Sequence, residues 1–457
     1  MKLSKSQENF PQFKNKKILV MGLGLHGGGT GAVKFFAQAG AKVAATDLKT
    51  RQQLKESVAQ LKGLPVHYIL GNHRETDFKN ADLIIRNPAV ADDSPYLKIA
   101  QKHKVPIDTD IGIFFRFCPA KKIIGITGTR GKSTTSTLIY ELLKAKYQNV
   151  ILAGNIRKSV LLELSGINKN SIVVLELSSW QLEGLVKHKK SPHIAIITTI
   201  QPDHLNRYKS MKEYIAAKKL IFKYQTKNDF LFLNKNDKIV KKFAGKTKAK
   251  VIFYGSKDAE KYKSRLTGKH NLTNIAAAIK VAKHFGVGDN AIKKILKNFK
   301  GLTGRIEFIS EINGVKYVND TCATTPDTAI AAINALSSSK QPTANNNLIL
   351  IAGGADKNLD FKELAQLIVL KIKVLILLEG TATGKLKKTV SQNLKIGNYK
   401  LKIINRVDSM KKAVQLAACH AQKGDMILLS PACASFGMFR HEFEKGEAFK
   451  KAVKSIK

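Results

Sequence analysis

Gly125-Ile126-Thr127-Gly128-Thr129-Arg130-Gly131-Lys132-Ser133-Thr134-Thr135, GITGTRGKSTT in one-letter code, is the stretch on which the fold turns. It closes an apolar run, KKIIGITG, and opens a helical pattern near Lys132. Glycines allow backbone amides to close around phosphate oxygens, and the amino-terminus of the following helix adds its dipole. Lys132 is placed for the terminal phosphates of a nucleotide, and Ser133 or Thr134 offers a hydroxyl to Mg2+. The general spacing GxxxxGK[ST] would put glycine at position 126, where this chain has Ile126; its own pattern is GxxGxxGKST. Buried strand, glycine turn and helix in this order predict a phosphate loop on a parallel sheet.

Toward the amino-terminus, KKILVMGLGLHGGGTGAVKFFAQAGAKVAATD reads as strand, glycine turn, amphipathic helix and a second strand ending at Asp47, a βαβ unit. Gly22, Gly24 and Gly27 fit GxGxxG with an acid about twenty residues on, which taken alone would indicate NAD. Strands are also expected at HYIL and at ADLIIRN, the latter stopped by Asn87-Pro88. Toward the carboxyl-terminus, SIVVLELSS is an apolar strand ending at Glu176, and HIAIITTIQPDH reads as another ending at Asp203-His204. Carboxyl ends of parallel strands are where such folds bind ligands. NLTNIAAAIKVAKHFGV and AIKKILKNF read as helices, Gly301 to Gly304 as a linker, and the last third alternates strand and helix again. The fold class expected is α/β with three domains. These are a Rossmann-like domain over residues 1–118, a central phosphate-loop ATPase-like domain with a parallel sheet over 119–301, and a Rossmann-like domain over 302–457.

With 457 residues, 44% hydrophobic and 25% charged, the chain can bury sizeable cores. No stretch approaches the roughly 18 apolar residues of a membrane span, and the amino-terminus has no apolar signal core, so no membrane association and a cytoplasmic location are expected. The four cysteines lack CxxC spacing and read as reduced thiols. A formal charge of +44 raises nucleic acid as a partner. The basic residues are scattered lysines, whereas nucleic-acid readers concentrate arginine and aromatics on one stripe, so no nucleic acid partner is expected. Polyanionic substrates would be attracted at low salt.

GITGTRGKSTT, LELSSWQLE, DHLNRY, YIAAKKLIF and GKHNLTNIAAA, in this order and at these separations, resemble the Mur ligase family of peptidoglycan precursor synthesis over essentially the whole chain. GLGLHGGG and LLSPACASFGMF point to its D-glutamate-adding branch. The resemblance implies an acyl-phosphate ligase using ATP and Mg2+, with UDP-N-acetylmuramoyl-L-alanine and D-glutamate as substrates, working as a monomer. It implies that Gly128, Thr129, Arg130, Gly131, Lys132, Ser133 and Thr134 bind ATP, that Ser133, Glu176, His204 and a carbamylated Lys218 serve the metal, and that Lys132, His204 and Lys218 stand at the reacting centre. By the same resemblance Asn271 lies on the adenine side, and Arg305 and Asp320 reach the nucleotide from the third domain. Leu25, His26, Asp47, Asn87 and Asn155 are assigned to the UDP substrate, and Thr324, Lys357, Ser435 and Phe443 to D-glutamate.

The chain departs from the family pattern at Cys322, where a lysine is usual, at Arg157, where a glycine is, and at Gly112, where an acid is. The competing structural readings are a strand cap for Glu176 and a solvated surface lysine for Lys218. Two other functions stand beside the preferred one: another Mur-type or folylpolyglutamate-type ligase, and a nucleic-acid-binding ATPase.

Overall fold

Runs such as KILVM, IVVLE and LILIA are apolar at nearly every position, the pattern of parallel strands covered on both faces. The computed structural model describes residues 10–456 apart from His26, Arg157, 204–206, Thr267, 338–345, 397–399 and Phe436. Among these residues the strands form three sheets.

The first sheet has the order β3-β2-β1-β4-β5, built from β1 (Lys17–Met21), β2 (Lys42–Asp47), β3 (Val66–Leu70), β4 (Leu83–Arg86) and β5 (Ile107–Asp108). Every pairing is parallel, the order of a Rossmann-like half. The second sheet contains β6 (Lys122–Thr127), β7 (Val150–Gly154), β8 (Ile172–Glu176), β9 (Ile194–Ile197), β10 (Phe230–Asn234) and β11 (Lys250–Tyr254) in the order β11-β10-β9-β6-β8-β7, again all parallel. β6 is central and delivers the glycine loop at its carboxyl end. The third sheet runs β12-β13-β17-β14-β15-β16, with β12 (Glu307–Ile312), β13 (Val315–Asn319), β14 (Leu348–Ala352), β15 (Ile372–Leu378), β16 (Lys402–Val407) and β17 (Met426–Leu429). Only its edge strand β12 is antiparallel to its neighbour.

One expected strand end is corrected. β9 stops at Ile197, short of Asp203-His204. The chain turns there because Thr198 and Thr199 leave the ladder to hold the glycine loop: Thr198 N donates to Thr127 O at 3.0 Å and Thr129 N to Thr199 O at 2.7 Å.

The chain parts into two compact units, Met1–Lys261 with Leu272–Ile295, and Tyr262–Asn271 with Leu296–Lys457. The first unit carries the first two sheets, and one continuous apolar core runs through both. Phe10, Phe13, Phe35, Phe36 and Phe117 meet edge to face, at centroid distances from 4.9 to 6.1 Å, beside the helix Asp110–Phe117 that links the two sheets. Polar ties add direction: Lys190 Nζ donates to Phe115 O at 2.6 Å and His188 Nε2 pairs with Asp108 Oδ1 at 2.9 Å. Gly112 passes beneath that pair, where a Cβ would strike the Asp108 carboxylate, so an acid at position 112 has no room in this fold. The second unit packs a core on each face of its sheet, Leu350, Leu375 and Leu428 on one side and Ile349, Ile376 and Ile427 on the other.

Candidate active site

The glycine loop needs its glycines for two separate reasons. Gly128 has φ +146° and Gly131 φ +84°, a region that L side chains seldom enter. A Cβ on Gly128 would collide with Thr198 Oγ1, and one on Gly131 with the side-chain amide of Asn274. Gly131 is the cap of helix Lys132–Lys144, whose first residue folds back over the loop: Lys132 Nζ donates to Gly128 O and Thr129 O, each at 3.0 Å. Thr129 Oγ1 lies 3.1 Å from Tyr214 OH, and Arg130 N donates to Thr199 Oγ1 at 3.2 Å. Ser133 and Thr134 follow in the first turn of the helix.

Lys218 projects from helix Met211–Lys223 to the same loop. Burial of Tyr214, Ala217, Lys218, Ile221 and Phe222 defines the inward face of this helix, and Lys218 is only 2% exposed. Its Nζ donates to Gly128 O at 2.9 Å and to Thr127 Oγ1 at 3.4 Å. The structure thus rules out a solvated surface lysine. Burial, and then the charge of Lys132, push its amine well below the usual lysine range, with Asp203 and Glu176 opposing.

Glu176 ends β8, in register with Ile126 of β6 and Gly154 of β7. It is 1% exposed; Oε1 accepts from Asn155 Nδ2 at 3.0 Å, while Oε2 is buried without a partner among the described residues. A buried carboxylate oxygen left over in this way suits a hard cation such as Mg2+, which takes oxygen ligands. Asn155, assigned to the UDP substrate in the sequence, is here the residue that orients Glu176. Asp203 lies 3.8 Å from the Arg130 guanidinium. His204 lies outside the described residues.

At the first sheet, Asp47 Oδ2 accepts from Gly24 N at 3.0 Å and Oδ1 from Lys49 N at 2.9 Å, so the acid braces the glycine turn. Asn87 Nδ2 donates to Gly22 O at 3.1 Å, and a Cβ on Gly22 would come within 2.8 Å of the Asn87 Cβ. Leu25 packs against the core edge, and His26 lies outside the described residues. Gly22, Gly24, Asp47 and Asn87 therefore converge on one strand-end cradle.

The second unit carries the remaining assigned residues. Asp320 follows β13, where Ser430 Oγ donates to Oδ2 at 2.9 Å and Ile306 N to Oδ1 at 3.2 Å. Burial pushes this carboxyl up to about 7, with the hydrogen bonds and Arg305 opposing. Asn271 is buried near the start of helix Lys269–His284. Lys357 Nζ donates to Thr324 Oγ1 at 3.4 Å. Ser435 is buried, with its Oγ unpartnered among the described residues, and Phe443 lies in the first turn of helix Glu442–Lys454.

Several residues that frame the site were not singled out in the sequence. Asn274, one helical turn beyond Asn271, covers Gly131; the spacing of the two asparagines on one helix face was the available signal. Tyr214 sits one turn before Lys218. Arg207, within the DHLNRY motif, donates to Pro88 O at 2.9 Å and to Glu183 Oε2 at 3.0 Å, with its guanidinium 4.7 Å above the Trp180 ring. Nothing local in the sequence pairs Arg207 with Pro88.

A phosphate loop backed by a buried lysine and a buried, half-satisfied carboxylate, on the middle one of three α/β sheets, defines a nucleotide-dependent phosphate-loop enzyme. Three domain families match the chain: the Mur ligase MurD-like N-terminal domain over residues 16–109, the Mur ligase middle domain over 126–263 and the Mur ligase glutamate ligase domain over 304–433. The UDP-N-acetylmuramoylalanine--D-glutamate ligase of Roseiflexus sp. (strain RS-1) is 41% identical, covering 97% of this chain and all of its own length. The protein of that name from Borreliella afzelii (strain PKo) is 37% identical over 97% of this chain and 98% of its own. Among solved structures, the UDP-N-acetylmuramate-alanine ligase MurC of Thermotoga maritima superposes with TM-score 0.63 at 19% identity, over 97% of this chain and 100% of that one. The MurF ligase of Thermotoga maritima in complex with ADP gives TM-score 0.60 at 17% identity, over 90% and 95% of the two chains. The chain belongs to the Mur ligase family.

Proposed function

We propose that this protein is an ATP-dependent ligase that joins D-glutamate to UDP-N-acetylmuramoyl-L-alanine, releasing ADP and phosphate, in cytoplasmic peptidoglycan precursor synthesis. The observation that carries the reading is the convergence of Lys132, Lys218 and Glu176 around the Gly128 loop, in a chain whose relatives bear the name of this reaction. An oxygen of the L-alanine carboxylate attacks the γ-phosphorus of ATP. The bond from that phosphorus to the β–γ bridging oxygen breaks, and ADP leaves. The amine of D-glutamate then adds to the carbonyl carbon of the acyl phosphate. Loss of a proton from nitrogen and cleavage of the carbon–oxygen bond to phosphate complete the amide.

Loop amides and Lys132 would hold the β- and γ-phosphates, so that charge developing during transfer meets donors already in place. Glu176, oriented by Asn155, together with Ser133, His204 and Lys218 as a carbamate, would hold Mg2+, which when bound neutralises phosphate charge. A depressed amine at Lys218 is the form that can take up CO2, since only the neutral amine is nucleophilic. Asn271, Arg305 and Asp320 are assigned to the nucleotide, the cradle of Leu25, His26, Asp47 and Asn87 to the UDP moiety, and Thr324, Lys357, Ser435 and Phe443 to D-glutamate. Domain boundaries at 118/119 and 301/302 and a working monomer belong to the same proposal.

The test is phosphate release from ATP with UDP-N-acetylmuramoyl-L-alanine and, in parallel, D-glutamate, L-glutamate and L-alanine. D-glutamate alone should stimulate turnover, and Lys132→Ala should abolish it. Stimulation by another amino acid instead of D-glutamate would overturn the assignment.

A further inference from the structure

Two consecutive residues at the carboxyl end of β2 set the glycine turn of the first sheet. Thr46 O accepts from Gly22 N at 2.8 Å, and Asp47 Oδ2 accepts from Gly24 N at 3.0 Å. Thr46 lies between Met21 of β1 and Ile69 of β3 and is fully buried. A hydroxyl in such a place needs a partner. It comes from beyond the end of β3: His73 Nδ1 stands 2.7 Å from Thr46 Oγ1, with Asn72 O as a longer alternative at 3.4 Å.

His73 is itself held by the elements around it. Gly71, at φ +95°, turns the chain back toward β2, where its N donates to Asp47 O at 2.9 Å and to Lys49 O at 3.0 Å, and Asn72 forms an antiparallel bridge with Asp47. The imidazole then meets Tyr96 of helix Pro95–Lys102 and Phe78 of helix Glu75–Asn80 edge to face, at centroid distances of 4.9 and 5.7 Å. The neighbouring Arg74 is engaged by Asp77 at 2.9 Å. Burial pushes the imidazole below the usual histidine range, with the charge of Asp47 opposing. A neutral ring accepts the Thr46 proton at Nδ1. An imidazolium carries its own proton there, and Thr46 would have to turn its hydroxyl to the longer contact with Asn72 O.

We propose that His73 is a positioning residue for the UDP substrate: by fixing the Thr46 side chain beside the Asn72–Asp47 bridge, it holds the end of β2 where Thr46 and Asp47 set the glycine turn. This rests on the assignment of that cradle to the UDP moiety in the ligase reading above. The contacts of His73 belong to the first sheet and the helices on it, so their loss falls on the UDP substrate and not on ATP. Because the fold favours the neutral ring, the unfolded chain holds more protons between the folded value and the ordinary 6.5, and the contact is lost as pH falls through the folded value.

The experiment measures the dissociation constant of UDP-N-acetylmuramoyl-L-alanine by calorimetry without ATP, together with kcat and the KM for ATP. It compares the wild type with Thr46→Val, His73→Phe and His73→Asn. Thr46→Val and His73→Phe each remove one side of the hydrogen bond and keep much of the shape, so affinity for the UDP substrate should fall about five- to tenfold at pH 7.5, with kcat and the KM for ATP within about twofold. His73→Asn keeps a hydrogen-bonding group near the place of Nδ1 and should recover most of the affinity. Between pH 7.5 and pH 5 the wild type should lose affinity several-fold, and His73→Asn, which takes up no proton, should not. Unchanged affinity in both Thr46→Val and His73→Phe, a loss shared equally by kcat and the KM for ATP, or the same acid loss in His73→Asn overturns the inference, while D-glutamate-dependent turnover of the wild type leaves the ligase reading intact. A wild type that binds the UDP substrate but does not turn over D-glutamate removes the ligase reading, and the affinities still decide the role of His73. A wild type that does not bind the UDP substrate removes both.

Discussion

Replacing Asn155 by alanine separates two roles for one residue. In the sequence Asn155 sits with substrate-contacting stretches, whereas in the structure its Nδ2 donates to Glu176 Oε1 at 3.0 Å. Its loss leaves both oxygens of a carboxylate that is 1% exposed without a side-chain donor among the described residues. A hydrogen bond to a charged group contributes about 1.5 to 3 kcal/mol. At about 1.4 kcal/mol per tenfold, that is roughly a 10- to 100-fold rise in the Mg2+ concentration needed for half-maximal turnover, the range also typical of residues that orient metal ligands. The assay is a Mg2+ titration of D-glutamate-dependent phosphate release, with the KM for the UDP substrate measured at saturating Mg2+. The reasoning predicts that the Mg2+ requirement rises and this KM stays within about twofold. A raised KM for the UDP substrate with an unchanged Mg2+ requirement would refute it and return Asn155 to the substrate.

Gly128→Ala sets a Cβ against Thr198 Oγ1 and 3.0 Å from Thr199 N at φ +146°, so ADP affinity measured by calorimetry should fall at least tenfold; unchanged affinity would mean the loop relaxes freely. Asp110 is buried, and desolvation raises its carboxyl from 3.8 to about 6. Its folded pKa thus exceeds the unfolded one, the native state holds more protons between the two values, and stability falls as pH rises through that window. At about 1.36 kcal/mol per unit, the ionised form costs about 3 kcal/mol at pH 7. Asp110→Asn keeps an acceptor for Ile111 N and should raise the melting temperature at pH 7.5 but not near pH 4, whereas an equal change at both would contradict the assignment. Arg207→Ala removes the donor to Pro88 O and Glu183, and with it the tie between the Asn87 strand end and the second sheet; the KM for the UDP substrate should rise about tenfold with the KM for ATP little changed, and the reverse split would count against this role.

Sequence periodicity was sufficient where a strand is apolar at nearly every position, as in β8 and β14, because burial on both faces writes itself as a continuous run. It was silent where burial is partial: β16 is mostly exposed or half-buried, and the edge strand β12 has no fully buried position, so neither stood out. The apparent continuation of β9 to Asp203 failed for a tertiary reason, since Thr198 and Thr199 form their bonds with the glycine loop, far away in sequence.

The glycine pattern, the acid at the end of β8 and the motif order determined by themselves that a phosphate loop heads the middle of three α/β domains and that the chain resembles the Mur ligases, because backbone conformation and strand burial are local constraints that single residues record. Only the tertiary structure decided the state of the charged groups. Lys218 looked like one more lysine on a Lys-rich surface until its helix turned it inward onto the Gly128 carbonyl. Asn155 became a brace for Glu176, and Lys445 proved to be buried, with no hydrogen-bond partner for its Nζ among the described residues. Desolvation and hydrogen-bond partnership depend on which distant segments pack together, and no spacing along the chain encodes that.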